Sequence, residues 1–277
     1  MLIHQTLSLP ADGWRKQATI WQDDAAEVRA VLLYLHGGAL IYGSRDDLPE
    51  LHISQFTSAG YAVMTLDYPL APSASAVEIL ADVRASIAFF LEHRRPIFGA
   101  ELPYFLFGRS AGAYLCLLQL KSLPSTPPAG IVSYYGYALL SPGWFDTPSP
   151  FYRRYPEMPE AVLRIPSHEK HAAAALSTHY AAYVLLRQRG TWGTFLGQNA
   201  PRLLDCATPY CPLFLAHAQG DPDVPFAEFL ALRVRFPDSI CFVSHSAVHD
   251  FDRDTSLPET LKLLEKTIKF LDEQLLL

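Results

Sequence analysis

The chain has 277 residues, with 22 Lys and Arg against 28 Asp and Glu, a formal net charge of −6 at pH 7, half of its residues apolar and 18% charged. That balance fits a globular α/β chain near the upper size for one hydrophobic core and excludes a disordered segment. With no basic patch and no apolar run approaching about 18 residues, neither a nucleic-acid partner nor a membrane span is expected.

In chain order, strand-like segments fall at about 2–9, 16–22, 28–35, 61–67, 102–107, 130–135, 212–217 and 240–245. The first two read as an antiparallel hairpin around Pro10-Ala11-Asp12-Gly13. From there strands alternate with helical patterns at about 46–58, 75–93, 110–121, 225–235 and 256–275. Such alternation predicts an eight-stranded, mostly parallel sheet with helices on both faces. The last helix is expected to start with Ser256 as its cap and Glu259 three positions on.

One interval breaks the alternation. Residues 137–205 hold no strand pattern, turn rich in Pro and aromatics, and then read as an Ala-rich helix around Glu169–Arg189, with Ser167 as its cap. We expect a core of 1–136 and 206–277, with 137–205 inserted as a small helical cap over the site. The aromatic cluster Tyr137, Trp144, Phe145, Phe151, Tyr152 and Tyr155 either lines an acyl pocket or glues the cap to the core.

Chemistry concentrates at three places. Gly108-Arg109-Ser110-Ala111-Gly112 joins an apolar strand to an apolar helix, which raises the Ser110 hydroxyl at a helix N-terminus. The glycines are there because the turn is too tight for a Cβ on either side. His36-Gly37-Gly38-Ala39 follows a buried strand, so the N–H groups of Gly37 and Gly38, with that of Ala111, are placed to receive an oxyanion. An acid and a base follow in Gln219-Gly220-Asp221-Pro222-Asp223-Val224-Pro225 and in His245-Ser246-Ala247-Val248-His249-Asp250-Phe251. Both sit just past strand ends, where ligand sites of open α/β sheets lie.

With Asp67-Tyr68-Pro69-Leu70-Ala71-Pro72, these motifs resemble the hormone-sensitive-lipase-like carboxylesterase branch of the α/β-hydrolases over nearly the whole chain. The resemblance implies the α/β-hydrolase fold, Ser110 as nucleophile, Asp221 as the acid and His249 as the base, in the chain order Ser, Asp, His. The sequence departs from the family pattern at Ala39, where a third Gly is common, at Pro69, where Arg is common, and at Arg109, where an acidic residue is usual.

The expected activity is hydrolysis of small, short-acyl carboxylic esters, with no metal or organic cofactor. An amidase or peptidase on the same scaffold, and a non-catalytic ligand-binding protein, are the alternatives. Asp223 competes with Asp221 as the acid, and His245 is a fallback base. His168, His171 and His179 resemble a ligand cluster but read as polar surface residues. Arg109 is open between a solvated turn residue, a partner for cap carboxylates and a contact to an acidic substrate. Four cysteines and the absence of a signal-peptide pattern point to reduced thiols in the cytoplasm, with Cys206 and Cys211 close enough in sequence to pair. A homo-oligomer is possible on the sequence alone.

Overall fold

A computed structural model describes residues 1–121, 125–140, 143–166, 168–197, 201–202 and 209–276. The expected strands form one sheet: β1 (Leu2–Leu9), β2 (Lys16–Asp23), β3 (Ala30–Leu35), β4 (Tyr61–Leu66), β5 (Tyr104–Arg109), β6 (Gly130–Tyr134), β7 (Leu213–Ala218) and β8 (Ile240–Ser244). Their order is β1-β2-β4-β3-β5-β6-β7-β8. β1 pairs antiparallel with β2, and β2 with β4; every later pairing is parallel. The hairpin turns at Gly13, whose φ of +74° suits a residue without a Cβ.

The helices are α1 (Glu50–Ser58), α2 (Ala76–Phe98), α3 (Ala111–Leu117), α4 (Leu176–Arg189), α5 (Trp192–Phe195), α6 (Phe226–Arg235) and α7 (Pro258–Leu275). They cover both faces of the sheet, because each central strand is buried on both sides. Val31, Leu33 and Leu35 of β3 join one apolar cluster with Ile79, Val83 and Phe90 of α2, Leu115 of α3 and Phe229 of α6. Leu32 and Tyr34, pointing the other way, join Phe56 of α1 and Leu263, Leu264 and Phe270 of α7. α2 starts on a capping box, Ser75 with Glu78, and ends at Gly99 with φ +77°.

Three expectations need correction. β5 runs two residues further than expected, because Gly108 and Arg109 still pair with Ser133 and Tyr134 of β6. α7 begins at Pro258 with Leu257 as cap and no side-chain cap bond; Ser256 instead donates its hydroxyl to Asp254, 2.6 Å away. Proline suits the first helical turn, so the start shifts past the Ser. The Ala-rich segment is not helical from Glu169. Ala174 exchanges two backbone hydrogen bonds with Gly43 (2.9 and 3.0 Å), and the His171 carbonyl accepts from the Leu70 N–H. Those bonds hold Ala174 in an isolated bridge and keep 171–174 out of a helix until α4 begins at Leu176; tertiary hydrogen bonds outweigh the helix propensity of a few alanines. The expected cap at Ser167 lies outside the described residues.

Among its described residues, the stretch between β6 and β7 carries three short 3₁₀ turns, α4 and α5, and no strand of the sheet. Its ties to the rest of the fold include the Gly43–Ala174 bridge, the Trp192 indole N–H on the Ala39 carbonyl (3.2 Å), the Ala76 N–H on the Leu196 carbonyl (2.8 Å), and Glu228. The buried Glu228 carboxylate accepts from the backbone N–H groups of Ala138, Leu139 and Leu140 (2.6–3.0 Å) and from the Trp144 indole (3.2 Å). No described helix is long and apolar enough to cross a membrane.

Candidate active site

Ser110 stands between β5 and α3 with φ +52° and ψ −117°, a conformation that side-chain-bearing residues rarely adopt. Its N–H donates to the Tyr134 carbonyl (2.9 Å). Close approach of backbones on either side of the turn explains the flanking glycines. A Cβ on Gly108 would lie 2.3 Å from the Gly112 carbonyl carbon, and one on Gly112 only 1.9 Å from the Leu35 oxygen.

His249 reaches this hydroxyl from the loop after β8, with Nε2 2.8 Å from Ser110 Oγ. Its Nδ1 lies 2.7 Å from Asp221 Oδ2. Asp221 is held in turn: its Oδ1 accepts from the N–H groups of Asp223 (2.8 Å) and Val224 (2.9 Å), and His217 Nε2 is 3.3 Å from Oδ2. Hydroxyl, imidazole and carboxylate are therefore aligned in hydrogen-bonding order. Burial works against a charged imidazole, but the adjoining Asp221 carboxylate outweighs it, with help from Asp223 and Asp250, and His249 is pushed up to about 9. Burial likewise disfavours the Asp221 anion, yet His249, His217 and the Val224 N–H keep its carboxyl below the ordinary value.

The His36-Gly37-Gly38-Ala39 loop faces the same hydroxyl. A Cβ on Gly37 would sit 3.4 Å from that of Ser110, and Gly38 has φ +105°. Ala39, standing where a third Gly is common, adopts φ +56° all the same. The N–H groups of Gly37 and Gly38 make no hydrogen bond among the described residues. That of Ala111, first in α3, has no partner within its helix. The stacked Tyr68 ring, 4.2 Å from His36, fixes the loop from below, with its hydroxyl on the His36 carbonyl (2.8 Å).

A cavity of about 690 Å³ opens over Ser110 and His249, lined by Gly37, Gly38, Tyr42, Tyr137, Tyr180, Tyr183 and Trp192 among others. Of the six aromatics singled out in the sequence, Tyr137 alone lines it. Trp144, Phe145 and Tyr152 are buried in packing, and Tyr155 is exposed. Tyr42, Tyr180 and Trp192, which also line it, carry no motif in the sequence. Arg187 sits at the centre of the aromatic packing, donating to the Tyr183 hydroxyl (2.7 Å) and the Asp223 carbonyl (2.8 Å) with its guanidinium 4.9 Å from the Trp144 ring centre.

The competing candidates bond to other partners. Asp223 Oδ1 accepts from the hydroxyls of Tyr152 and Tyr183. His245 is exposed, with Nδ1 2.8 Å from Gln219 Oε1. Among the described residues the potential metal ligands that converge are Asp221, Asp223 and His249, not His168, His171 and His179. Two of the three are already bonded to each other. Arg109 is neither a solvated turn residue nor a partner of cap carboxylates: it borders the cavity but is buried against Asp252, with Nε 3.0 Å from Oδ2. The thiols of Cys116 and Cys241 are free, and Cys206 lies outside the described residues.

Comparison with known proteins agrees with the architecture. Residues 20–123 match the family model described as BD-FAE. A segment covering 34% of the chain is 33% identical to Lipase 2 of Moraxella sp. (strain TA144), and spans 22% of that lipase's length. A Staphylococcus aureus protein of unknown function superposes with a TM-score of 0.85 at 26% identity, covering 99% of both chains. An α/β-hydrolase superfamily protein from Enterococcus faecalis gives 0.82 at 26% identity, over 98% of this chain and 99% of that one. An esterase of the bacterial hormone-sensitive lipase family shares the fold at a TM-score of 0.66 and 21% identity, over 98% of this chain and 85% of its own. The chain thus has the α/β-hydrolase fold, and the proteins it is similar to include a lipase over a third of its length and hormone-sensitive-lipase-family esterases among its structural neighbours.

Proposed function

We propose that the chain is a serine hydrolase of small carboxylic esters, acting through Ser110, His249 and Asp221 by way of an acyl-enzyme. The observation that carries this reading is the unbroken line of contacts from Ser110 Oγ through His249 to Asp221, 2.8 and 2.7 Å long, at the floor of an open cavity. His249 takes the proton as Oγ attacks the acyl carbon, while Asp221 orients the ring and stabilises the imidazolium. The N–H groups of Gly37, Gly38 and Ala111 receive the oxyanion, each donor contributing on the order of 3 kcal/mol to the transition state. His249 then returns the proton to the leaving alkoxide, and water repeats the sequence on the acyl-enzyme.

The stretch 137–205 serves as a cap in this reading, since Tyr137, Tyr180, Tyr183 and Trp192 wall the cavity from above and from one side. Tyr137 and Trp192 are backed by Trp144, with ring centres 5.5 and 5.8 Å from its own, which limits room on that side and favours short acyl chains. The test is a series of p-nitrophenyl esters of rising acyl length. kcat/KM is expected to be highest for the short members, and Ser110→Ala to lose roughly 10³-fold or more. A wild type inert to every ester and unlabelled by a fluorophosphonate overturns the reading.

A further inference from the structure

Directly beneath the line of Ser110, His249 and Asp221 lies a second polar cluster to which the mechanism assigns no part. Asp252 is fully buried, and its two oxygens meet three other side chains. Arg109 approaches with Nε 3.0 Å from Oδ2 and donates from Nη2 to Oδ1 (3.1 Å); Tyr135 donates its hydroxyl to Oδ1 (2.7 Å); His52 of α1 places Nε2 2.9 Å from Oδ2. Arg109 Nε also donates to the Tyr135 hydroxyl, at 2.7 Å, which closes a ring of contacts.

We propose that Arg109, Tyr135 and Asp252 form a clamp that fixes the nucleophile turn relative to the histidine loop, as positioning residues for the Ser110–His249 pair. The inference rests on the ester-hydrolase reading above.

Its basis is where the three residues sit. Arg109 immediately precedes Ser110, and Asp252 follows His249 by three positions. Tyr135 leaves β6 with φ +41°, its ring centre 4.7 Å from that of His249. Ser110 and His249 are 139 residues apart in sequence and meet across two loops. The clamp joins those loops a few ångströms away from the reacting atoms. Directional, charge-assisted contacts suit such a task, because they specify distance and angle where apolar packing specifies only volume. A buried ion pair is a poor choice for stability alone, since apolar replacements of similar size are often as good. Small errors in such geometry are costly, since displacing reacting groups by about 1 Å can cost about 100-fold in rate.

The test measures kcat, KM and thermal midpoint for Tyr135→Phe, Arg109→Lys and Arg109→Met with p-nitrophenyl acetate. Rates are expressed per fluorophosphonate-titratable site, so that unfolded protein does not count. Tyr135→Phe removes one hydroxyl and leaves the direct Arg109–Asp252 contacts in place. It is expected to lower kcat roughly tenfold with KM within about twofold, as a geometric fault should. Arg109→Met should lose more, and Arg109→Lys should recover part of the loss. Variants that melt earlier but keep wild-type kcat per site overturn the clamp; if Arg109→Met does not fold, Tyr135→Phe decides alone. A wild type that neither hydrolyses the ester nor takes the probe brings down the hydrolase reading, whereas an active wild type with unaltered variants brings down only the clamp.

Discussion

Asp221 and Asp223 stand two residues apart on one loop, yet their carboxylates meet different partners. Asp221 faces the imidazole, and Asp223 is spent on the hydroxyls of Tyr152 and Tyr183. Asp221→Asn is therefore expected to lower kcat/KM by roughly 10³–10⁴-fold, through loss of the imidazolium partner and of the correct ring tautomer. Asp223→Asn should cost far less. A pH series separates the two further. The Asp221 carboxylate is what holds His249 above its ordinary value, so the acidic limb of the wild-type rate profile should lie above pH about 6.5. In Asp221→Asn the residual activity should keep its limb at lower pH, because the charge that favoured protonation has gone. A limb that moves with Asp223→Asn instead would reverse the assignment. At this scale Ser110 and the two glycines beside it were readable, because a tight strand-to-helix turn restricts which residues fit. Choosing between the two acids was left to motif matching, since spacing alone cannot tell which carboxylate a loop turns inward.

Most elements were readable where the chain decides locally. The helix expected from residue 75, the hairpin at Gly13 and the alternation of strands with helices all depend on near neighbours in sequence, whereas the capping box expected at Ser256 and Glu259 gave way to the proline start at Pro258. The stretch between β6 and β7 was not readable. Its alanines promise a helix from Glu169, but Gly43, more than a hundred residues earlier, holds Ala174 in an extended bridge. Glu228 acts over a similar range: one carboxylate on α6 gathers three consecutive backbone N–H groups at 138–140 and the Trp144 indole. Glu228→Ala would leave these buried donors without a partner, at about 1–3 kcal/mol for each one that water does not reach. We expect a loss of about 3–5 kcal/mol in urea unfolding, together with early protease cleavage within 137–205. Glu228→Gln, which still offers one acceptor oxygen, should lose clearly less. Equal losses in the two variants would mean that the side chain's bulk, not its hydrogen bonds, roots this stretch.

At the scale of the whole molecule, the sheet's two apolar faces follow from patterning, but the polar ties across the core do not. Arg109 and Asp252 are 143 residues apart, and His52 and Asp252 are 200 apart, so no local pattern announces either pair. These ties, with the Asp221–His249 pair, set how stability should vary with pH. Burial alone would raise the Asp252 carboxyl, yet Arg109, His52 and the Tyr135 hydroxyl hold it far below the usual carboxylate range. A carboxyl whose folded value lies below its unfolded one contributes stability above pH about 4 and loses it as pH falls. His249 has the opposite sign. Raised to about 9, it contributes stability below its unfolded value of about 6.5 and loses it as pH rises toward 9. Urea midpoints should therefore peak between these limits, at mildly acidic to neutral pH. Asp252→Asn strands the Arg109 charge and should cost about 3–5 kcal/mol at pH 7. The same variant should flatten the acid-side decline, because the group that must be protonated there has been removed. His249→Ala should flatten the alkaline side and leave the acid side largely as in the wild type. An acid-side slope in Asp252→Asn as steep as that of the wild type would show that the proton uptake driving acid unfolding belongs to other carboxylates.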